Sequence, residues 1–184
     1  MKRLFCAVKI QPSEEITDTM DHFRESLATE RINWVAPENL HLTLKFFGDT
    51  PNRELDAIVQ SLQKAAALSS PVSFSINGCG TFGNPRMPRV LWFGIDRPHG
   101  LQTLYRTVNK SLEPLGYLPD KKVFVPHLTI GRIKHLEDTS ALQELLGEYE
   151  DTAFGKVTVS NFHLFESILR PQGPEYHILE SFRM

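Results

Sequence analysis

The tetrapeptides HLTL (41–44) and HLTI (127–130) decide how this 184-residue sequence is interpreted. Each places a histidine and a threonine two positions apart, with large aliphatic residues between and after them. In a β-strand, side chains alternate between faces at a rise of about 3.3 Å per residue. Each motif therefore predicts a strand whose His and Thr share one polar face while the aliphatic residues point into the core.

The two motifs lie in a larger pattern of duplication. The ungapped shift that superimposes them also places the apolar run LFCAV, from Leu4, on VLWFG, from Val90. Apolar residues at helical spacing follow both runs, and a further helix and an alternating segment follow both motifs. We therefore predict one domain, 1–184, built from two approximate repeats, 1–83 and 84–184.

Periodicity leaves the architecture open between two arrangements. Alternating strands and helices suit a parallel sheet, whereas two short similar halves suit two antiparallel sheets with helices on their outer faces. The Gly/Pro-rich stretch 77–88 is expected to be a turn-rich loop that crosses between the lobes. A last strand is predicted around Tyr176 to Phe182.

Composition excludes several classes of protein. The net charge of −2 gives no overall positive field to hold long nucleic acids, so any contact with RNA must be local. No apolar run approaches the roughly 18 residues needed to span a bilayer, and the N-terminus passes directly into a strand pattern. Two cysteines make neither a disulfide framework nor a metal knuckle. We expect a cytoplasmic protein that has no membrane partner.

The paired motifs predict chemistry on a phosphodiester. Imidazole has a reference pKa of about 6.5, so one histidine can deprotonate a nucleophile while the other protonates the leaving oxygen. The hydroxyls of Thr43 and Thr129 can donate hydrogen bonds to non-bridging phosphate oxygens. If the two strands face each other, His41 and His127 meet across one cleft. The ordinary alternative is that all four are polar residues of half-exposed strands.

Two cations next to the motifs are candidate phosphate ligands. Lys45, four residues after His41, continues the polar face of its strand under strict alternation and could contact phosphate or the RNA backbone. A solvated lysine is the competing interpretation. Strict alternation turns Arg132 away from His127, although a bulge at Gly131 could turn its guanidinium back toward the site.

Two other patterns argue against alternative chemistries. Gly78, Gly80 and Gly83 form a GxGxxG match, but the prolines of the following NPRMPR occupy the place where a nucleotide-binding helix should start. No Asp, Glu or Cys lies at a persuasive metal-ligand spacing beside His41 or His127. We therefore expect neither a dinucleotide cofactor nor a metal.

Four segments resemble the two-histidine phosphoesterase superfamily, and within it the RNA 2′,3′-cyclic phosphodiesterases, also called 2′-5′ RNA ligases. They are RLFCAVKI, NLHLTLKFFGD, GTFGNPRMPRVLWFGI and PHLTIGR. The resemblance implies a bilobal α+β fold with pseudo-twofold symmetry, in which two antiparallel sheets face a central cleft and helices cover the outer faces. It also implies catalysis without any cofactor or metal.

The same resemblance implies roles for the site residues. His41 would be the proton donor and His127 the proton acceptor, with Thr43 and Thr129 on the phosphate oxygens. The expected partner is RNA with a 2′,3′-cyclic phosphate end, tRNA fragments being one candidate, and the protein is expected to be a monomer. Three alternatives stay open: action on 2′-5′ oligonucleotides, action on small cyclic nucleotides, and non-catalytic binding of RNA ends.

Overall fold

The computed structural model of the chain describes residues 1–171 and 173–184 and contains nine strands and four α-helices in those residues. The strands are β1 (Lys2–Lys9), β2 (Arg31–Trp34), β3 (His41–Thr50), β4 (Val72–Asn84), β5 (Met87–Asp96), β6 (His127–His135), β7 (Ala153–Val159), β8 (Asn161–Arg170) and β9 (Gly173–Arg183). The helices are α1 (Glu14–Ser26), α2 (Leu55–Ala67), α3 (His99–Leu112) and α4 (Ser140–Glu148).

The strands form two antiparallel sheets. Sheet A has the order β3-β1-β8-β9 and sheet B the order β2-β6-β5-β4-β7. The α+β class with two antiparallel sheets is thereby confirmed, and the parallel alternative is wrong. Each sheet takes strands from both predicted repeats, because β8 and β9 join β1 and β3 while β2 and β4 join β5 and β6. The chain thus crosses between the sheets several times.

Amphipathic helices provide the cover for the sheets. Ser13 caps the N-terminus of α1, because its hydroxyl accepts a hydrogen bond from the Ile16 amide, and the helix buries Phe23 edge-on against Phe93 of sheet B. Helix α3 contacts β3 of sheet A through buried residues that include Asn109. In the residues that the structure describes, no helix is both long and apolar enough to cross a membrane.

Strand pairing corrects the predicted repeat register by one residue. Ala7 lies opposite Thr43 in sheet A, and Trp92 lies opposite Thr129 in sheet B. Ala7 therefore corresponds to Trp92, not to Phe93 as the ungapped shift requires. A slip of one residue exchanges the two faces of a strand, and the observed register aligns Cys6 and Val8 of the main core with Leu91 and Phe93 of the same core.

The Gly/Pro-rich stretch 77–88 is not a loop, so that prediction is wrong. Its residues form the end of β4, a two-residue turn and the start of β5, which together make a long hairpin. Gly80 is needed inside the strand because a Cβ there would meet the Trp92 indole at 2.5 Å. Gly78 and Gly83 adopt positive φ angles of 64° and 121°, which are costly for other residues. The glycines therefore serve hairpin geometry.

Each motif strand contains a β-bulge directly after its threonine. In β3 the pairing passes from Thr43 to Lys45, which leaves Leu44 as the extra residue; in β6 it leaves Ile130 as the extra residue. The carbonyl of Ile130 accepts a hydrogen bond from the amide of Val35 beside β2. Strand β3 is an edge strand, and there Asn109 of α3 donates its side-chain amide to the Leu44 carbonyl at 3.3 Å. Both bulge carbonyls are therefore satisfied, in different ways.

Candidate active site

The two motif histidines are held by the same local hydrogen bond. His41 Nδ1 lies 2.6 Å from the carbonyl of Asn39, and His127 Nδ1 lies 2.8 Å from the carbonyl of Val125. A carbonyl oxygen can only accept, so each Nδ1 carries the proton and donates it. In the neutral ring, Nε2 is then the free nitrogen and can accept a proton from a substrate.

Burial favours the neutral form of both rings. Removal from water is the largest influence on the pKa of His41 and of His127, and it lowers both below the ordinary value. The hydrogen bonds to the backbone carbonyls oppose this shift, while the positive charge of Arg132 lowers both pKa values further. His127 also lowers the pKa of His41, which places the two rings within electrostatic reach of each other.

One cavity joins the two motif strands. It has a volume of about 420 Å³, and its lining includes His41, His127, Thr43 and Thr129. Strands β3 and β6 belong to different sheets, so the cavity lies between the two sheets. The structure thus brings together the histidine and the threonine of both motifs, although the two motifs are 86 positions apart in the sequence.

The bulges determine where the two neighbouring cations lie. Because Ile130 is an extra residue, Arg132 returns to the face of His127 and lines the cavity, with the bulge one residue earlier than the Gly131 position considered from sequence. The equivalent bulge takes Lys45 off the face of His41, so the prediction from strict alternation is wrong for this residue. Phe46 occupies the cavity-facing position instead.

Lys45 is buried, with 5% of its side chain exposed, and its ammonium group is already engaged. It donates a hydrogen bond to the carbonyl of Leu118 and lies 4.0 Å from a carboxylate oxygen of Asp120. Lys45 is also one of the residues that line the cavity. The side chain therefore ties the segment 116–126 to the motif strand.

Aromatic side chains around the histidines were missed by sequence analysis. Phe5 lies 5.0 Å from His41 between ring centroids, and Tyr176 contacts the same ring edge-on at 5.3 Å. Phe82 contacts His127 edge-on at 4.7 Å. The alternation of Phe5 and Ala7 in β1 could have indicated one of these neighbours. No local signal could have indicated Tyr176, because its place depends on the pairing of β8 with β9.

This arrangement can perform proton transfer on both sides of one bound group. Two imidazoles with free Nε2 atoms face a single cavity, and a guanidinium beside them can hold an anion. Within residues 1–171 and 173–184, no three His, Cys, Asp or Glu residues are grouped so that they could hold a metal ion. The chemistry that the described residues themselves offer is acid–base catalysis on an anionic substrate.

The fold and the paired histidines are those expected of the two-histidine phosphoesterases. Residues 9–168 match the family model of the 2′-5′ RNA ligase superfamily, and the chain belongs to this superfamily. The RNA 2′,3′-cyclic phosphodiesterase of Methanothermobacter thermautotrophicus is 36% identical over 184 residues, which cover 99% of this chain and 98% of that protein. The protein of the same name from Aquifex aeolicus is 32% identical and covers 99% and 98%.

Solved structures support the same assignment of fold. The crystal structure of TT0787 of Thermus thermophilus superimposes with a TM-score of 0.78 at 30% identity and covers 98% of this chain and 97% of its own. Escherichia coli LigT complexed with 3′-AMP gives a TM-score of 0.75 at 24% identity and covers 100% and 98%. At that identity the likeness to LigT concerns the fold alone.

Proposed function

We propose that this chain hydrolyses RNA 2′,3′-cyclic phosphodiester ends to 2′-phosphomonoesters by acid–base catalysis between His41 and His127, without a metal ion. The observation that carries the proposal is the pair of imidazoles facing one cavity, each with its Nδ1–H fixed on a backbone carbonyl and its Nε2 free. The relatives named RNA 2′,3′-cyclic phosphodiesterase support the choice of substrate.

The reaction needs one histidine in each protonation state. Neutral His127 accepts a proton at Nε2 from a water molecule whose oxygen attacks phosphorus. The bond from phosphorus to O3′ breaks, and protonated His41 gives its proton to O3′. The product has a 2′-phosphate and a 3′-hydroxyl, and proton exchange with solvent resets both rings. An RNA 5′-hydroxyl in place of water would form a 2′-5′ linkage by the same transfers.

Three further side chains would stabilise the charge that develops on phosphate. Arg132 lines the cavity and acts electrostatically on both histidines, which supports a role for its guanidinium in holding the non-bridging oxygens. The hydroxyls of Thr43 and Thr129 would donate to the same oxygens from the two strands. We assign Lys45 to holding the segment 116–126 and not to phosphate, because its ammonium group already has a protein partner.

The test is product analysis of a short RNA that ends in a 2′,3′-cyclic phosphate, incubated with the protein in EDTA. We expect a 2′-phosphate as the only new end and no turnover by His127→Asn. Recovery of bound but unchanged RNA would instead establish a non-catalytic RNA-end binder. Faster turnover of 2′-5′ oligonucleotides or small cyclic nucleotides would show that one of these is the preferred substrate. Loss of activity in EDTA would overturn metal independence.

The biological setting of this activity follows from the same proposal. A cavity of about 420 Å³ suits the end of an RNA chain better than a long tract, in agreement with the net charge of −2. Cleaved tRNA fragments are one source of such ends. Comparing turnover of cyclic-phosphate tRNA halves with that of short oligonucleotides of the same end sequence would test whether RNA beyond the end contributes. Monomeric state and cytoplasmic location stay predictions.

A further inference from the structure

We infer that Lys9 binds the phosphate on the 5′ side of the terminal nucleotide, so that the site prefers the end of an RNA chain to a free nucleoside cyclic phosphate. This inference rests on the proposed function, since it concerns the part of the same substrate that lies next to the cyclic phosphate. It starts from a lysine that the proposed reaction does not use. Lys9 ends β1 and lies directly opposite His41 of β3.

Strand pairing places Lys9 on the face of sheet A that carries His41. Residues directly opposite each other in an antiparallel pair project to the same face, with Cβ atoms about 5 Å apart. Lys9 is half-buried and lines a pocket of about 250 Å³ whose lining also includes His41 and Tyr176. Both of these residues also line the cavity that holds the two histidines. The pocket of Lys9 therefore adjoins the catalytic cavity at His41.

The ammonium group of Lys9 is available for an anion. Among residues 1–171 and 173–184, no carboxylate forms a salt bridge with it. Glu38 lines the same pocket but is exposed to solvent. His177, also in the lining, lies 3.6 Å from a carboxylate oxygen of Glu175. Lys9 is therefore the residue of this pocket that can hold a phosphate group.

His163 offers a second hydrogen-bond donor beside Lys9. It lies opposite Ala7, which is two residues before Lys9 in β1, so all three side chains share one face. Its Nδ1 lies 2.9 Å from the hydroxyl oxygen of Ser181. Burial lowers the pKa of His163, and the charge of Lys9 lowers it further, so the two side chains are within electrostatic reach. When the neutral ring accepts the Ser181 proton at Nδ1, its Nε2–H can donate to a phosphate oxygen.

The connectivity of ribose decides which part of the substrate reaches Lys9. C3′ carries O3′ and is bonded to C4′, which carries the 5′ carbon and its phosphate. C2′ carries O2′ and is bonded to C1′, which carries the base. In the proposed reaction His41 protonates O3′, so the 5′ side of the ribose lies toward His41 and the base lies away from it. The preceding phosphate then enters the pocket of Lys9, whereas a free nucleoside cyclic phosphate has no group to place there.

The experiment compares kcat/KM on two adenosine 2′,3′-cyclic phosphates that differ only at O5′. One carries a methyl phosphodiester, which has the charge of an RNA linkage, and the other a methylphosphonate methyl ester, which has a similar shape without charge. We expect wild-type protein to prefer the charged substrate about tenfold, because a charge-assisted hydrogen bond forms. Lys9→Gln should abolish this preference, Lys9→Arg should retain it, and His163→Gln should reduce it in part.

A lysine outside both pockets provides the matched control. Lys156→Gln, on the edge strand β7 of sheet B, removes the same charge and should keep the wild-type ratio of the two kcat/KM values. Because the readout is a ratio, a general loss of activity in any variant cancels.

The outcomes separate this inference from the function on which it rests. Equal kcat/KM on the two substrates in wild-type protein would overturn the inference and leave the proposed function standing. The same holds if Lys9→Gln keeps the wild-type ratio, which would place the phosphate elsewhere, or if Lys156→Gln lowers it equally, which would leave only an effect of net charge. No turnover of either substrate by wild-type protein would remove the proposed function and this inference together.

Discussion

The two sheet faces that line the cavity carry the same motif but different surroundings. On sheet A, His41 lies among Phe5, Phe165 and Tyr176, which form a small apolar cluster separate from the main core. On sheet B, His127 shares its face with Arg132, whose charge acts on both histidines. His41 has three aromatic neighbours, whereas His127 has one aromatic neighbour, Phe82, and a guanidinium beside it.

This difference shows how a duplicated fold can treat an asymmetric substrate. The pseudo-twofold arrangement supplies two equivalent imidazoles, and equivalent groups alone cannot decide which of them gives the proton. The phosphate must be oriented by neighbours that the duplication does not repeat. Under the proposed function Arg132 is the candidate for such a neighbour, because Phe46 occupies the equivalent position on β3 and the two residues differ completely in chemistry. Substitutions in the shared motifs and in the residues around them test how the two faces divide the work.

Removal of either histidine is expected to have the largest effect. His41→Ala and His127→Ala should each lower kcat at least about 1,000-fold on RNA 2′,3′-cyclic phosphate, because each loses one proton transfer. Circular dichroism and thermal unfolding would check that both variants fold. The two losses will look alike on the ordinary substrate, so this measurement alone leaves the acid and the base unassigned.

A substrate with a sulfur leaving atom separates the two roles. When sulfur replaces O3′ in the cyclic phosphate, the leaving group needs little protonation, and the acid becomes dispensable. We expect this substrate to restore most of the rate of His41→Ala and none of that of His127→Ala. Restoration of His127→Ala instead would exchange the two roles and reverse the orientation of the bound phosphate.

Substitution of Arg132, the cationic residue beside His127, should have the next largest effect. Arg132→Ala should lower kcat/KM about 100-fold, since a charged hydrogen bond to the phosphate is lost. Arg132→Lys should recover only part of this loss, because a lysine keeps the charge but cannot form two parallel hydrogen bonds. Steady-state kinetics on cyclic-phosphate RNA measure both. An effect of Arg132→Ala below threefold would show that the phosphate is held elsewhere.

Removal of single hydroxyls should have smaller and similar effects on the two faces. Thr43→Val and Thr129→Val keep the shape of the side chain and remove one donor, so each should lower kcat/KM about tenfold. Thr107→Val, at a helix position outside the cavity, is the control and should have no effect on kcat/KM. A loss confined to one of the two motif threonines would show that the phosphate contacts only that strand.

The pH dependence of kcat/KM should change when the charge of Arg132 is removed. Because burial and Arg132 both lower the pKa values of the two histidines, the bell-shaped profile of kcat/KM should have its maximum below pH about 6.5. Arg132→Gln removes a charge that disfavours protonation, so both pKa values should rise and the maximum should move to higher pH. The profile of wild-type and variant protein, measured in one buffer series, tests this. A shift to lower pH would contradict the assigned electrostatics.

The smallest effect on catalysis is expected from the support of the β3 bulge. Asn109→Ala leaves the buried Leu44 carbonyl without its side-chain donor, which should lower the free energy of unfolding by about 1–3 kcal/mol. The activity of the folded variant should fall only a few fold, through small displacement of Thr43 and Phe46. Urea denaturation and kinetics at low temperature measure the two effects. Ser111→Ala, on the same helix, is the control.

Local patterns were sufficient for much of the fold. The spacing of apolar residues predicted all four helices and the motif strands, because these elements satisfy their periodicity within short segments. Apolar spacing failed as a predictor where the pairing of strands decides the structure. Gly80 lies in a hairpin strand, where the indole of Trp92 on the paired strand leaves no room for a side chain. Glycines of this kind look like loop residues when the partner strand is unknown.

The residues of the candidate site also divide into those that local patterns predicted and those that depend on strand pairing. His41, Thr43, His127 and Thr129 were found because alternation needs only two residues of extended chain. Lys45 was placed on the wrong face because an extra residue in the strand reverses every position beyond it, and bulges have no sequence signature here. The same cause hid Phe46, whose cavity-facing position follows directly from that reversal.

By itself, the sequence determined the two His-x-Thr strands, and it predicted their duplication and the acid–base chemistry that two imidazoles allow, since these depend on residue type and on spacing along the chain. Only the tertiary structure decided that strands from both predicted repeats share each sheet, that Arg132 returns to the face of His127 and that the ammonium group of Lys45 binds the Leu118 carbonyl. Those facts depend on strand register, which is fixed by contacts between residues far apart in the chain.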